Sequence, residues 1–195
     1  KSFEGKKDVY NEIIKKDYEL MIKYYLMAIE LNNVEAMCNL ANYYKEIEKD
    51  YEQMIKYYLM AIKLNNVEAM CNLAFYYMMI EDNLELMIKY YLMAIELNND
   101  DAMYSLGSYY EIIENDYSKM SQYYLMAIEL NHITTIKRCV EGNYFDDDAI
   151  KNAIIKKGFI IVEENVWCPI TQENTDECFI TKCNHRFSRE IIKCI

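Results

Sequence analysis

MIKYYLMAIELNN occupies residues 21–33. It returns as MIKYYLMAIKLNN at 54–66, unchanged at 87–99, and as MSQYYLMAIELNH at 120–132. The leading Met falls at Met21, Met54, Met87 and Met120, a period of 33 residues. A fixed period of that size marks a stacked-repeat architecture, in which each unit leaves an apolar face for its neighbour to cover.

Each period predicts two helices. In the best copy the first runs over Val34–Glu48 (VEAMCNLANYYKEIE) and the second over Tyr51–Asn65 (YEQMIKYYLMAIKLN). Asn33, Asn66 and Asn99 stand before first helices; Asp17, Asp50, Asn83 and Asp116 stand before second helices. Short side-chain acceptors satisfy the orphan N–H groups of a helix start, and the early carboxylates Glu35, Glu68 and Asp101 suit the helix dipole. Their recurrence in register reads as capping rather than ligand binding. Met21, Tyr25 and Ala28 form one apolar row of the second helix; Ile22, Leu26 and Ile29 form another. Two rows imply neighbours on both sides. The first helix carries Ala36, Leu40, Tyr43, Tyr44 and Ile47, with a small residue (Ala41, Ala74, Gly107) placed for close helix approach. Met27, Met60, Met93 and Met126 point outward, either as an adaptable row or covered by the adjacent helix. The edges drift. Residues 1–16 keep only Tyr10 and Ile14 in register, and 133–158 hold a worn first helix followed by an amphipathic helix able to cap the stack.

Composition agrees. Hydrophobic residues make up 53% of the 195, and with only four Gly and one Pro a turn-rich β-protein is disfavoured. A net charge of −11 disfavours a nucleic-acid partner. Seven cysteines, an odd number, read as a reducing, cytoplasmic setting rather than a disulfide framework. No apolar run approaches the roughly 18 residues of a membrane span, and no signal peptide is visible, although the chain opens at Lys1 and a lost leader stays open. The Lys-, Asn-, Ile- and Tyr-rich wording suggests an AT-rich genome, such as that of a large DNA virus.

LANYY followed by DYEQMIKYYLMAIKLNN resembles the tetratricopeptide repeat and the related Sel1-like repeat. Leu40, Ala41 and Tyr44 match the family's first-helix pattern, and Tyr58 and Ala61 match its second. Met54 replaces the usual alanine, and the customary proline is missing. The resemblance covers residues 17–131 and implies an all-α, right-handed α-α superhelix whose first helices line a concave groove for a peptide or partner helix. Carried over by register, the groove positions are Glu35, Cys38, Asn42 and Lys45; then Glu68, Cys71, Phe75, Met78 and Met79; then Asp101, Tyr104, Ser108 and Glu111. The copies diverge here while the second helices stay nearly constant, which fits either binding specificity or drift. Acids outnumber Lys45 and Asn42, so an apolar or basic segment is a better match than an acidic tail.

From Trp167 the repeat wording stops. CPIT (168–171), FIT (179–181) and CNHRFSREII (183–192) resemble the first half of a RING or U-box domain. Against the RING ligand pattern, Cys168, Cys183 and His185 match the first, third and fourth ligands, while Thr171, Ser188 and Ile191 fall where three others should be. One zinc site is therefore expected empty. Cys183 and His185 form half of a second, whose remainder is expected beyond Ile195. A local site of Cys168, Cys178, Cys183 and His185 has suitable chemistry, but its spacing fits no known arrangement. A metal-free U-box is the alternative. The resemblance implies a ubiquitin-conjugating enzyme as partner, touched by Ile170, which the module would position without covalent chemistry of its own.

The chain is thus read as repeats over 1–158 and a partial α+β module over 166–195. As function we expect a protein-binding scaffold or, alternatively, a substrate-recruiting subunit of a ubiquitin (or SUMO) ligase. No catalytic constellation is visible: there is no Gly-rich phosphate loop and no nucleophile motif, and Cys183 and His185 are too close in sequence to face each other.

Overall fold

The computed structural model describes residues 3–142, 144 and 147–157, plus four two- or three-residue strands in the tail; side chains are described for 15–142, 144 and 147–157. The chain divides into two compact units, Lys1–Asn98 and Asn99–Ile195.

In the first unit α1 (Phe3–Glu30) packs on α2 (Val34–Tyr43), α2 pairs with α3 (Tyr51–Ile62), and α3 contacts α4 (Val67–Met79), which pairs with α5 (Leu84–Glu96). In the second unit α6 (Asp100–Tyr109) pairs with α7 (Tyr117–Glu129), and α7 packs on α8 (Ile133–Glu141) and α9 (Asp148–Lys156). The expected helix pairs are therefore present, with the worn segment after residue 133 forming α8 and α9. The tail contributes two antiparallel pairings, Val166–Trp167 with Asn174–Thr175 and Cys178–Ile180 with Arg186–Ser188. These short pairings alone do not establish the expected α+β module.

The predicted caps form. Asn33, Asn66 and Asn99 accept from the N–H groups of Ala36, Ala69 and Ala102 at 2.7–2.8 Å. Asp50, Asn83 and Asp116 do the same for Gln53, Leu86 and Lys119 at 3.0–3.1 Å. Asp17 is the exception: α1 runs unbroken through it, so it caps nothing.

The first helices end differently from the sequence expectation. Val34–Glu48 is not one regular helix: α2 stops at Tyr43, and Tyr44–Glu48 continues as a π turn, as Tyr110–Glu114 does after α6. Ile47 consequently leaves the buried stripe and is exposed. In all three copies a backbone N–H six residues on returns to the second tyrosine of the doublet: Asp50 to Tyr44, Asn83 to Tyr77 and Asp116 to Tyr110, at 2.8–3.0 Å. The residue before each (Lys49, Asp82, Asn115) takes a left-handed conformation with φ of 49–57°. Turns after the second helices repeat the device at Asn32, Asn65, Asn98 and Asn131, with φ of 58–65°. Asn, which tolerates this region best after Gly, does at most of these turns what Gly commonly does, and the scarcity of Gly follows.

The core is built from one register position after another. Leu40, Leu73 and Leu106 are fully buried, as are Met54 and Met87, Ala61, Ala94 and Ala127, and Tyr58 and Tyr124. Gly107 shows why a small residue is required beside the core leucine: a Cβ there would lie 2.5 Å from the Tyr124 ring.

Replacing Asn65 by alanine should lower stability by about 1 kcal/mol, because a Cβ without a local hydrogen-bonding group is disfavoured at positive φ, whereas Asn65→Gly should leave it nearly unchanged. Urea unfolding of the two variants separates these outcomes.

Candidate functional site

The first-helix residues singled out by register fall into two groups. Glu35, Glu68, Phe75, Met79 and Asp101 are exposed; Asn42, Lys45, Cys71, Met78, Tyr104 and Ser108 are half-buried. Cys38 and Glu111 are buried and do not line an accessible face.

Cys38 is held inside by geometry. Its thiol donates to the Asn66 Oδ1 at 3.3 Å, and the same oxygen caps α4 through the Ala69 N–H at 2.7 Å. The contact ties α2 to the start of α4. Burial, with Glu68 and Glu35 adding to it, pushes the Cys38 thiol up to about 11, so it stays protonated and donates. Asn42 accepts from the hydroxyl of buried Tyr58. Lys45 pairs with its neighbour Glu46 at 3.0 Å. Both are polar fittings of the helix pair before they are ligands.

Glu111 occupies the register of Lys45 and Met78 but turns toward α8. Arg138 donates to both of its oxygens, Nε to Oε2 at 3.2 Å, and the hydroxyls of Tyr124 (2.6 Å) and Tyr144 add two more bonds. With the Tyr124 proton committed to Glu111, Ser108 must donate to the Tyr124 oxygen, 3.0 Å away. Burial alone would raise the Glu111 carboxyl, but the hydrogen bonds from Arg138, Tyr124 and Tyr144 outweigh it and hold the carboxyl below its ordinary value. Sequence reasoning missed this cluster because its partners lie on the worn segment; the one signal was Arg138 itself, the first arginine of the chain. Beside it, His132 sits where earlier copies place their capping Asn. Its ring lies against Tyr104 and bonds Thr135 (2.6 Å) and Asp101 (3.1 Å).

Among the register-selected first-helix positions of the first unit, the exposed apolar ones lie on α4. Phe75 and Met79, one turn apart, are 47% and 59% exposed, with Met78 half-buried beside them. Glu68 lies on the same helix and Glu35 on α2, both exposed. Phe75 and Met79 thus form an apolar strip, with Glu68 about two turns away on the same helix.

The helical units have counterparts among solved structures. A Sel1 repeat protein from Oxalobacter formigenes superposes with a TM-score of 0.55 at 18% identity, over 69% of this chain and 62% of that one. A protective antigen of uropathogenic Escherichia coli displaying an SLR fold gives 0.52 at 18% identity, over 64% of this chain and 29% of that one. The match spans less than two thirds of either protein. Likeness at this identity shows the fold: Sel1/TPR-like helical repeats. No family model matches the sequence, and no curated protein does. No comparison supports a U-box or RING-like module in the tail.

Ile170, Cys183 and His185 lie outside the described residues. Among the described residues no group of three or more His, Cys, Asp or Glu could hold a metal ion, and no helix is long and apolar enough to cross a membrane.

Two measurements check the polar interior. The Glu111 carboxylate has a depressed folded pKa, so its contribution is complete above the ordinary value of 4.5 and is lost as pH falls below it. Glu111→Gln should cost about 1–3 kcal/mol at neutral pH, less than for a fully buried pair because the Arg138 side chain is 38% exposed, and the gap to the parent protein should narrow on acidification past pH 4.5. Alkylation at pH 8 followed by peptide mapping should find Cys38 and Cys139, the latter pushed up to about 12 by burial, protected in the native protein and reactive only after unfolding.

Proposed function

We propose that the chain is an interaction scaffold and that the first-helix face binds a segment of a partner protein. The observation that carries this is the exposure of Phe75 and Met79 together on α4. Nearly constant second helices hold that face, while the face itself differs between copies. Large apolar side chains left in water one turn apart are characteristic of a docking strip. Glu68 on the same helix, and a net charge of −11, favour a ligand whose apolar anchors are accompanied by Lys or Arg. A reducing, cytoplasmic setting belongs to the same proposal, in keeping with the buried thiols of Cys38 and Cys139.

The ligase alternative rests on the CPIT, FIT and CNHRFSREII wording of the tail. Its own test is autoubiquitination by the full-length protein with Ile170→Ala as control. Activity that is absent, or that the substitution leaves unchanged, removes the assigned contact.

Selection from a random peptide library should enrich peptides pairing an aromatic or aliphatic anchor with a basic residue. Phe75→Asp with Met79→Asp should weaken the selected peptides at least tenfold, about 1.4 kcal/mol, without changing the far-ultraviolet circular dichroism. Acidic peptides as winners, or affinity untouched by the double substitution, would sink the assignment.

A further inference from the structure

Asparagine is a poor residue for a helix interior. Its short amide competes for nearby backbone groups, and alanine is preferred there. Elsewhere among the described residues of the first unit, each asparagine has a structural duty. Asn33, Asn66 and Asn83 cap helix starts. Asn32, Asn65 and Asn98 hold left-handed turns. Asn42 accepts from the Tyr58 hydroxyl. Asn39 and Asn72 have no such duty. They lie inside α2 and α4, in the repeated wording CNLA, 33 residues apart. Both are half-buried, and neither makes a hydrogen bond with a described residue. In the second unit the same register holds Ser105, whose hydroxyl donates back to the Asp101 carbonyl at 2.8 Å. That helix satisfies the position by itself; α2 and α4 leave it open.

Asn72 falls on the docking strip. Residues 68, 72, 75 and 79 recur at helical spacing along α4, so Asn72 stands one turn before Phe75, and Met79 one turn beyond. Asn39 has the same place on α2, between Glu35 and Asn42. The bond from the Cys38 thiol to the Asn66 oxygen, 3.3 Å, sets α2 against the start of α4. The two amides therefore stand on neighbouring helices.

A carboxamide presents an acceptor and two donors side by side, the complement of a main-chain N–H and C=O. A helical ligand has those groups already paired along its own axis. An extended segment on a helical surface brings them unpaired.

We propose that the partner segment binds α2 and α4 in an extended conformation, its main chain held by Asn39 and Asn72 and an apolar side chain seated on Phe75 and Met79. This mode rests on the docking strip proposed above, whose ligand it specifies further. The amides read the backbone and accept any sequence; Phe75 and Met79 select the side chain.

The probe is a peptide selected from the random library against the parent protein and weakened by Phe75→Asp with Met79→Asp. Asn39→Ala and Asn72→Ala should each weaken it about fivefold or more. The urea midpoint should stay unchanged or rise, because neither amide has a partner to lose. Single backbone esters in the peptide should reproduce the loss at one or two positions, and those esters should cost nothing further against the alanine variant that lacks the partner. Affinity untouched by both alanine substitutions, esters that cost the same against parent and variants, or a bound peptide with helical main-chain carbon shifts overturns the extended mode and leaves the strip standing. A lowered urea midpoint reveals a structural duty for the amides and overturns it too. A library that yields no peptide dependent on Phe75 and Met79 removes the strip and this mode together.

Discussion

Parallel, offset stacking of tyrosines fixes how each first helix lies on the helix that follows it. Tyr44 on Tyr57, Tyr77 on Tyr90 and Tyr110 on Tyr123 lie at 5.7–5.8 Å with interplanar angles of 4–6°. A ring has only two side-chain torsions, so it loses little entropy on being fixed, and an aromatic pair contributes roughly 0.5–1.5 kcal/mol beyond its buried area. Every helix of a pair spends a tyrosine doublet on this arrangement. In the second helix the first ring of the doublet meets the stack and the second enters the core. In the first helix the order reverses: Tyr44 stacks, while Tyr43 turns edge-on to it and meets Tyr18 of α1. Lys56 and Lys89 lie over the outer rings at 5.0 and 5.4 Å, where a cation meets the negative ring face. The 20 tyrosines of the composition are largely the sum of these duties.

Packing hydroxyls into a core creates a polar requirement, and the copies meet it in two ways. The hydroxyls of Tyr43, Tyr76 and Tyr109 all donate to a glutamate five residues on: Glu48, Glu81 and Glu114. That bond crosses the end of the first helix and holds the chain through its turn, so YYKEIE, YYMMIE and YYEIIE are structural wording as much as surface wording. Tyr109 is pushed up to about 12 by burial and by Glu114 beside it. The second-helix hydroxyls find local partners instead. Tyr58 uses Asn42, and Tyr124 uses Glu111 and Ser108. Divergence of the first helices is thus partly a record of how each buried phenol is satisfied. A position such as Asn42 is therefore weak evidence for binding. Phe75, which stands in the same register and is exposed, is stronger evidence because an apolar side chain offers no hydroxyl a partner.

The repeat period, the helix pairs and six of the seven caps were legible because each is written several times in register. A short acceptor before an apolar-periodic run has one common use, and repetition removes the coincidences. What was not legible depended on partners elsewhere. Glu111 looked like a groove residue by register, but Arg138 and Tyr144 draw it inside, and no period connects position 111 to 138. Cys38 looked exposed for the same reason until Asn66 supplied an acceptor. Asp17 had the identity of a cap but not the neighbours of one. A cap stabilises a helix start only when something else stops the preceding residues from staying helical. Lys49 hid a further point: a left-handed turn after a first helix is expected to show Gly or Asn, and Lys gives no such signal.

Within the second unit, the helices after α7 are joined to it by polar contacts. After α7 the chain supplies its own closing helices. Ser121 bonds Asp147, the Lys157 ammonium reaches the Glu129 carbonyl at 2.6 Å, and Arg138 with Glu111 joins α8 to the end of α6. Those contacts are directional and polar, and the exposed residues of α8 and α9 mix charge (Lys137, Glu141, Asp148, Lys156) with exposed Ile133 and Ile155. On α1, Leu20, Tyr24 and Met27 are exposed, whereas Tyr57 and Tyr90, at the register of Tyr24, are buried. Lys119 occupies the register of Leu20 and lies over the Tyr110 ring at 4.6 Å. The same tyrosine register is therefore buried or exposed according to whether a first-helix ring stacks on it, as Tyr44 does on Tyr57 and Tyr77 on Tyr90.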